Sequence, residues 1–188
     1  NPYEVLAITF TNKAAAEMKE RVAELVGDRA RSMWVSTFHS ACVRILRQEA
    51  AKLGYSNSFT IYDSSDSLRL ITLVMKDMNL DIKRYAPRAV AGLISQAKNE
   101  LQGPADFVQS ADNQFNEVVA EVFAHYQKRL VSANAMDFDD LLLKTNELLN
   151  RFPDVLAKYQ DRFRYILVDE YQDTNHSQYL IVKALSDR

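Results

Sequence analysis

Three short apolar runs, each followed by polar residues suited to start a helix or a turn, constrain the fold of this chain most strongly. The runs are Val5–Phe10, Met33–Ser36 and Tyr165–Val168. Short, continuously apolar segments are typical of buried parallel strands, because both faces of such a sheet are covered. The first two runs are followed by Thr11-Asn12 and by Thr37, which favour helix caps. The sequence therefore predicts an α/β fold with a parallel sheet covered by helices.

Apolar residues at helical spacing predict the helices of the chain. Gly27 and Gly54 follow the first two helices at positions typical of a helix stop. No convincing strand pattern appears from about Asp63 to Ala135, so we interpret this block as a helical insertion between sheet elements. The chain then divides into residues 1–62, 63–135 and 136–188. The predicted helices are Ala14–Val26, Phe38–Leu53, Ser64–Asn79, Pro87–Glu100, Phe115–Val131, Asp137–Arg151, Pro153–Arg162 and His176–Ser186.

Composition excludes several classes of protein. Hydrophobic residues make up 47% and charged residues 26% of the 188 residues, which excludes a disordered chain. No apolar stretch is long enough to predict a transmembrane helix. Cys42 is the one cysteine, so an internal disulfide is excluded and we expect a cytoplasmic location. With a net charge of −2, a surface that binds nucleic acid would have to be a local patch.

The segment Tyr165–Asp173 (YILVDEYQD) carries the clearest chemical signal. Its apolar residues predict a strand, and Asp169 and Glu170 would emerge at the carboxyl end, where open α/β sheets bind ligands. A nucleoside triphosphatase needs one carboxylate for Mg²⁺ and a second group to orient or deprotonate the attacking water. Adjacent residues at a strand end would supply both from one rigid support. An acidic turn after a core strand is the alternative on pattern alone.

Several segments together resemble the UvrD/PcrA/Rep type of superfamily 1 DNA helicases. VDEYQDTN resembles the Walker B segment of that family, Leu6–Met18 (LAITFTNKAAAEM) its motif Ia, and Val35–Leu46 (VSTFHSACVRIL) its motif Ib. Met136–Leu142 (MDFDDLL) is similar to the point where the family's chain returns from a helical insertion. The resemblance implies a partial RecA-like P-loop NTPase sheet with an all-helical inserted subdomain. Residues 1–62 and 136–188 would be the two parts of the motor domain.

The resemblance implies roles for individual residues, with ATP and Mg²⁺ as cofactors. Asp169 would coordinate Mg²⁺, and Glu170 would be the catalytic base. Gln172 and Asp173 would couple the nucleotide to neighbouring motifs. The implied partner is single-stranded DNA and its junctions with duplex, with repair or replication proteins beside it and 3′ to 5′ translocation. The residues that would face single-stranded DNA are Phe10, Thr11, Asn12, Thr37, Phe38 and His39.

Simpler structural roles remain open for these positions. Thr11 and Asn12 could be only helix caps, Phe10 and Phe38 could be core residues, and His39 could be a packing residue. Arg44, Arg47 and Lys52 are helix-face charges that could reach phosphates or only face solvent. Asp137, Asp139 and Asp140 resemble a nuclease carboxylate cluster but fit a helix cap better. Lys98, in the insertion, is a candidate for a duplex DNA contact.

One element of the family is absent from the sequence. The phosphate loop G-x-x-x-x-G-K-[ST] does not occur, and the glycines Gly27, Gly54, Gly92 and Gly103 are too dispersed to supply it. Since the chain opens on Asn1 without an initiator methionine, we expect an internal piece of a longer protein, with this loop upstream. The 188 residues alone are then predicted to be inactive. A non-catalytic module that binds DNA or protein is the alternative function, and a metal-dependent nuclease is a more distant one.

Overall fold

The computed structural model describes residues 1–187 of the chain. The strands are β1 (Val5–Thr9), β2 (Trp34–Thr37), β3 (Thr60–Tyr62), β4 (Ala135–Asp137) and β5 (Tyr165–Val168). The helices are α1 (Asn12–Val26), α2 (Phe38–Glu49), α3 (Ser64–Asp77), α4 (Pro87–Asn99), α5 (Pro104–Ser110), α6 (Gln114–Ser132), α7 (Phe138–Arg151), α8 (Pro153–Arg162) and α9 (His176–Ser186). None of the helices within residues 1–187 is long and apolar enough to span a membrane.

The predicted parallel α/β sheet is confirmed, with strand order β2-β1-β5. Both pairs are parallel, and the register places Ile8 of β1 beside Ser36 on one side and Val168 on the other. The carboxyl ends of the strands therefore meet along one edge. Within the described residues β5 is an edge strand of this sheet, and its Tyr165 and Leu167 are exposed.

Two separate clusters of buried apolar side chains form the interior. The first joins Leu6, Ile8 and Trp34 of the sheet to the inward faces of α2, α7, α8 and α9. The second lies among α3, α4, α5 and α6, and its members fall between Ile71 and Ala135. The division into the three segments 1–62, 63–135 and 136–188 stays a prediction, although the second cluster lies entirely within its middle segment.

A second sheet, which the sequence did not predict, lies where the helical block begins and ends. Strands β3 and β4 pair in parallel, with Thr60 beside Ala135 and Tyr62 beside Asp137. Each strand has three residues, which is too short for a periodic pattern to reveal. The pairing ties together the chain entering the helices α3–α6 and the chain leaving them.

Local sequence signals explain most of the helix boundaries. The side chain of Thr11 caps α1, and Gly27 follows that helix with φ 64°, a left-handed conformation that favours glycine. The helix predicted to reach Leu53 ends as α-helix at Glu49 and continues as a 3₁₀ turn, with Gly54 at φ 83°. The short helix α5, which begins directly after Gly103, was not predicted.

Candidate nucleotide and nucleic-acid site

The candidate site begins in the loop that follows β5. The backbone N–H of Asp169 donates to the carbonyl of Ile8 at 2.9 Å, which extends the pairing with β1 by one residue. Glu170 then adopts φ 51° and ψ 44°, a left-handed conformation that is uncommon for a residue other than glycine. A 3₁₀ turn, Tyr171–Asp173, follows, and the N–H of Asp173 donates to the carbonyl of Glu170 at 2.9 Å. These two bonds hold the backbone in a conformation that costs about 1–3 kcal/mol.

The carboxylates of this loop differ in how they are engaged. Both Asp169 and Glu170 are exposed. The Asp169 side chain makes no hydrogen bond or ion pair within residues 1–187, whereas Glu170 Oε2 accepts a hydrogen bond from Gln172 Nε2. No group of three or more His, Cys, Asp or Glu residues in the described chain could hold a metal ion by itself. A free carboxylate at a strand end does fit Mg²⁺, which is commonly bound by one or two carboxylates, phosphate oxygens and water.

Two further loops lie beside the carboxylates. Since β1 lies between β2 and β5, the loop after β1 has the loop after β2 on one side and Asp169 on the other. Thr9 pairs with Thr37 in the register, so the two loops leave the sheet at the same level. The structure thus brings together the three segments that the sequence had singled out.

The two threonines of these loops act as helix caps. Thr11 Oγ1 accepts from the N–H of Ala14 at 3.1 Å, and Thr37 Oγ1 accepts from the N–H of Ser40 at 3.2 Å. Asn12 is the first residue of α1 and is exposed. Two helix N-termini therefore point toward the same edge, where unpaired N–H groups and the helix dipole favour negative charge.

The aromatic residues of the loops have different exposure. Phe10 is half-buried, and its ring centroid lies 5.5 Å from that of Phe38. Phe38 itself is 2% exposed and belongs to the first core cluster. This corrects the expectation that Phe38 faces DNA: its ring packs beneath Phe10 and supports it. The half-buried ring of Phe10 is the one that a base could reach.

His39 is half-buried at the start of α2. Its ring meets that of Phe138 edge-on, with centroids 6.2 Å apart. Burial lowers the pKa of His39 below its usual value, although the charge of Asp139 opposes that shift. The imidazole is therefore neutral at pH 7 and offers a hydrogen bond and a ring face, but no fixed positive charge.

A cleft of about 1190 Å³ connects the residues of the two loops. Five of the six side chains predicted to face single-stranded DNA line it, and Phe38 is the exception. Ser40 and Phe138 also line the cleft, although neither was predicted as a site residue. Phe138 lies within the MDFDDLL segment, so the motif marked the region without indicating that this ring turns toward the cleft.

The acidic cluster near α7 is a buried ion-pair network. Lys98 Nζ contacts Asp137 Oδ2 at 2.7 Å and Asp140 Oδ1 at 3.0 Å, and the Tyr126 hydroxyl donates to Asp137 Oδ2 at 2.7 Å. Lys98 is 0% exposed. Burial would lower the pKa of Lys98, but the two carboxylate charges raise it above its usual value. Lys98 is thus unavailable to duplex DNA, which corrects that expectation.

The same geometry argues against a nuclease site at this cluster. Asp137 Oδ1 accepts from the N–H of Asp140 at 2.8 Å, and Asp140 Oδ2 accepts from the N–H of Asp137 at 3.2 Å, so the pair forms a capping box for α7. Asp139 accepts a hydrogen bond from Asn99 at 3.2 Å. The helix-cap interpretation is confirmed for Asp137 and Asp140; Asp139 lies in the first turn of α7 and bonds to α4 instead.

Two basic residues of the region around α2 are engaged with the protein itself. Arg47 donates to the carbonyls of Asn57 at 2.9 Å and Phe59 at 2.5 Å. Lys52 pairs with Asp154 at 2.7 Å on the surface. Arg47 is therefore held by backbone carbonyls, whereas the exposed pair of Lys52 contributes little and leaves its ammonium group accessible. Cys42 is buried, and burial raises its pKa to about 12.

The parallel sheet carries adjacent carboxylates and two helix N-termini along one edge, and a helical block precedes the carboxylate strand. These features define a partial RecA-like α/β fold. More particularly, the chain belongs to the UvrD/REP helicase N-terminal domain family, which matches residues 1–188.

Named relatives are similar along essentially the whole chain. It is 50% identical to the ATP-dependent DNA helicase PcrA of Bacillus subtilis over 187 residues, which are 100% of this chain and 25% of that protein. It is 55% identical to the ATP-dependent DNA helicase UvrD1 of Mycobacterium tuberculosis, over 98% of this chain and 24% of the relative. Identity to PcrA of Staphylococcus aureus is 52%, over 100% of this chain and 26% of the relative. The chain spans about a quarter of the length of these proteins.

Proposed function

We propose that this chain is part of an ATP-dependent DNA helicase that moves 3′ to 5′ along single-stranded DNA. It would separate duplex at junctions during repair or replication, in the cytoplasm and beside other repair or replication proteins. The observation that carries the proposal is the adjacency of three loops: the carboxylate loop after β5 lies directly beside the loops after β1 and β2. Nucleotide chemistry and a DNA-binding surface then share one sheet edge. Residues 1–62 and 136–188 would form the motor, and residues 63–135 an inserted subdomain.

The carboxylate loop would perform hydrolysis. Asp169, which is exposed and free of protein partners in the described chain, would hold Mg²⁺ through its water shell. The ion would neutralise charge on the β- and γ-phosphates. Glu170 would accept the proton of the attacking water, and Gln172 Nε2, which already donates to Glu170 Oε2, would keep that carboxylate oriented. Asp173, at the end of the same turn, would report the state of the nucleotide to neighbouring segments.

The loops after β1 and β2 would hold the DNA strand. Phe10 would stack on a base, because an aromatic ring can stack on any of the bases. Removal of such a ring costs about 1–3 kcal/mol of binding free energy per base. The N-termini at Thr11-Asn12 and Thr37 would face phosphates, and neutral His39 would donate one hydrogen bond. Binding by stacking and backbone contacts is tolerant of sequence, as a motor that moves along DNA requires.

The hydrogen bond between the N–H of Asp169 and the carbonyl of Ile8 would couple ATP hydrolysis to DNA binding. Ile8 lies on β1, and Phe10 follows two residues later, directly after the end of that strand. A shift of the carboxylate loop on hydrolysis would therefore act on the strand end that carries the stacking ring. The described chain holds no G-x-x-x-x-G-K-[ST] segment, so we propose that the 188 residues alone do not hydrolyse ATP.

Substitution of Glu170 in the full-length protein tests this proposal. Glu170→Gln keeps the size and hydrogen-bonding capacity of the side chain but removes the base, so kcat for ATP should fall by about 10²–10⁴-fold. The affinity for Mg²⁺–ATP, measured by calorimetry, should change little. Glu24→Gln, at an exposed position of α1, is the matched control and should leave kcat unchanged. An ATPase rate within about twofold of the unsubstituted protein for Glu170→Gln would refute the assigned role.

A further inference from the structure

The cleft between α1 and α2 extends well beyond the strand-end loops. Its volume of about 1190 Å³ exceeds the roughly 300–1,000 Å³ typical of pockets that enclose a small molecule. Lys19 of α1, Arg31 after α1 and Arg44 of α2 line this extension, and no Asp or Glu among the described residues lines the cleft. The chain as a whole carries a net charge of −2. The cleft is therefore a local cationic patch on an otherwise slightly acidic chain.

The charges of α1 are divided between its two sides. Lys19 lies on the side that lines the cleft, while Glu17, Glu20 and Glu24 do not line it. Residues three and four apart share one side of a helix, and the lining positions of α1 follow that spacing. A polyanion in the cleft would thus meet the cation of α1 without meeting its carboxylates.

The cations of the cleft have weak acidic partners or none. Lys19 and Arg44 have no ion pair in the described part of the chain, and Arg31 pairs with Asp28 at 3.3 Å, where both side chains are highly exposed. Exposed pairs of this kind contribute little. These cations are therefore free to bind an external anion.

Arg44 is fixed in place but not neutralised. Its guanidinium lies 4.0 Å from the ring centroid of Trp34, and Arg162 lies 4.7 Å from the same ring. Burial and the nearby charge of Arg162 lower the pKa of Arg44. The indole face orients the guanidinium, and an anion beside it would relieve the repulsion between the two arginines.

Apolar side chains line the cleft together with the cations, among them Val22, Met33, Val35 and Val43. A lining of this mixed kind matches a single nucleic-acid strand, whose bases and sugars make apolar contacts and whose phosphates pair with cations. An apolar ligand would leave the cations without a partner, and a compact anion would leave the apolar side chains uncovered.

We propose that this cleft is a further segment of the single-stranded DNA path, in which Lys19, Arg31 and Arg44 hold phosphates of the strand beyond the Phe10 loop. The inference rests on the proposed function and extends it, because it lengthens the binding site from the strand-end loops into the space between α1 and α2. Contacts there are with phosphates, so they add affinity and salt dependence without sequence preference.

Salt-dependent binding tests the proposal. Fluorescein-labelled oligothymidylate is titrated with the full-length protein, and the dissociation constant is measured by anisotropy over a series of NaCl concentrations. The test variant is Lys19→Gln/Arg31→Gln. The matched control, Lys13→Gln/Arg21→Gln, removes the same charge from exposed positions of α1 that do not line the cleft. Arg44 is left unchanged in this variant because its contact with Trp34 also supports the fold.

We expect the salt dependence of DNA binding to change in the cleft variant and not in the control. Each lost phosphate contact lowers the magnitude of the slope of log K against log salt by about 0.7. The slope of the double variant should therefore be smaller in magnitude by about 1.4, which corresponds to about 25-fold weaker binding at 0.1 M salt. The control should match the unsubstituted protein. The difference should disappear with oligonucleotides too short to extend past the strand-end loops.

The outcomes separate the two proposals. If the unsubstituted protein binds single-stranded DNA but the cleft variant and the control have the same slope and affinity, the cleft is not part of the DNA path. If the effect persists with the shortest oligonucleotides that bind, the residues act at the strand-end loops, and the extension is wrong. Failure of the unsubstituted protein to bind single-stranded DNA would overturn the proposed function as well.

Discussion

Substitution of Lys98 by methionine should destabilise the chain strongly. Methionine keeps an unbranched apolar side chain, so the change removes the ammonium group with little loss of packing. That group is fully buried and contacts Asp137 at 2.7 Å and Asp140 at 3.0 Å. Removing one partner of a buried ion pair leaves an uncompensated charge and costs about 3–5 kcal/mol. With a urea m-value of about 2 kcal/mol/M, the midpoint of unfolding should fall by about 1.5–2.5 M.

In Lys98→Met, the hydrogen bonds that remain on the two carboxylates limit the loss of stability but do not abolish it. Asp137 keeps its bond from the Tyr126 hydroxyl, and Asp140 keeps a bond from Gln127 Nε2 at 3.3 Å. Burial already raises the pKa of Asp140, and the charge of Lys98 opposes that rise. Without Lys98 the pKa of Asp140 in the folded state should rise further. A carboxyl whose pKa is higher in the folded than in the unfolded state loses stability as the pH rises, so the cost should be smaller at pH 5 than at pH 7.

The assay is urea unfolding of the 188-residue chain, followed by circular dichroism at pH 7 and pH 5. Lys52→Met is the matched control, because Lys52 contacts Asp154 at the same 2.7 Å distance but on the surface. We expect the control to shift the midpoint little at either pH. The reasoning is refuted if Lys98→Met lowers the midpoint no more than Lys52→Met does, or if its cost grows toward pH 5.

Further predictions concern single groups and the nucleotide. Because burial raises the pKa of Cys42 to about 12, the native thiol should resist an aromatic disulfide reagent at pH 8, with about one molecule in 10⁴ as thiolate; reaction as fast as in urea would contradict this. Because burial lowers the pKa of His39, the neutral imidazole favours the folded state, and this contribution to the free energy of unfolding should be lost as the pH falls below about 6.5. His39→Gln should make the free energy of unfolding less dependent on pH in that range, and an unchanged pH dependence would contradict the prediction. Phe10→Leu in the full-length protein should lower DNA-stimulated ATPase more than basal ATPase, and an equal loss in both would indicate a folding role. Calorimetric titration of the 188-residue chain with Mg²⁺–ATP should show no tight binding, and micromolar affinity would reveal a phosphate site within these residues and contradict the prediction.

The sequence predicted the framework because its signals are local. Apolar runs mark β1, β2 and β5, and a capping side chain begins α1 and α2. Each of these signals lies within a few residues, where periodicity and capping act. The carboxylates after β5 were found in the same way, because a parallel strand and its carboxyl end are readable from one short segment.

The structure was needed wherever distant segments meet. Strands β3 and β4 have three residues each and stabilise one another across the whole helical block, so neither carries a pattern of its own. Lys98 looks like a surface lysine in sequence, yet it lies buried between carboxylates from α7 and its cap. No local rule predicts this, because burial of a charge depends on partners brought from elsewhere in the chain.

The sequence by itself determined which strands form the main sheet, where the helices around it start and which edge carries the carboxylates, since these follow from side-chain period and capping within short segments. Only the tertiary structure decided which of the adjacent aromatic residues faces outward, with Phe38 buried beneath Phe10. It also decided that cations from α1 and α2 share one cleft. The physical reason is that burial and electrostatic environment are properties of the packed assembly, in which residues far apart in sequence supply each other's surroundings.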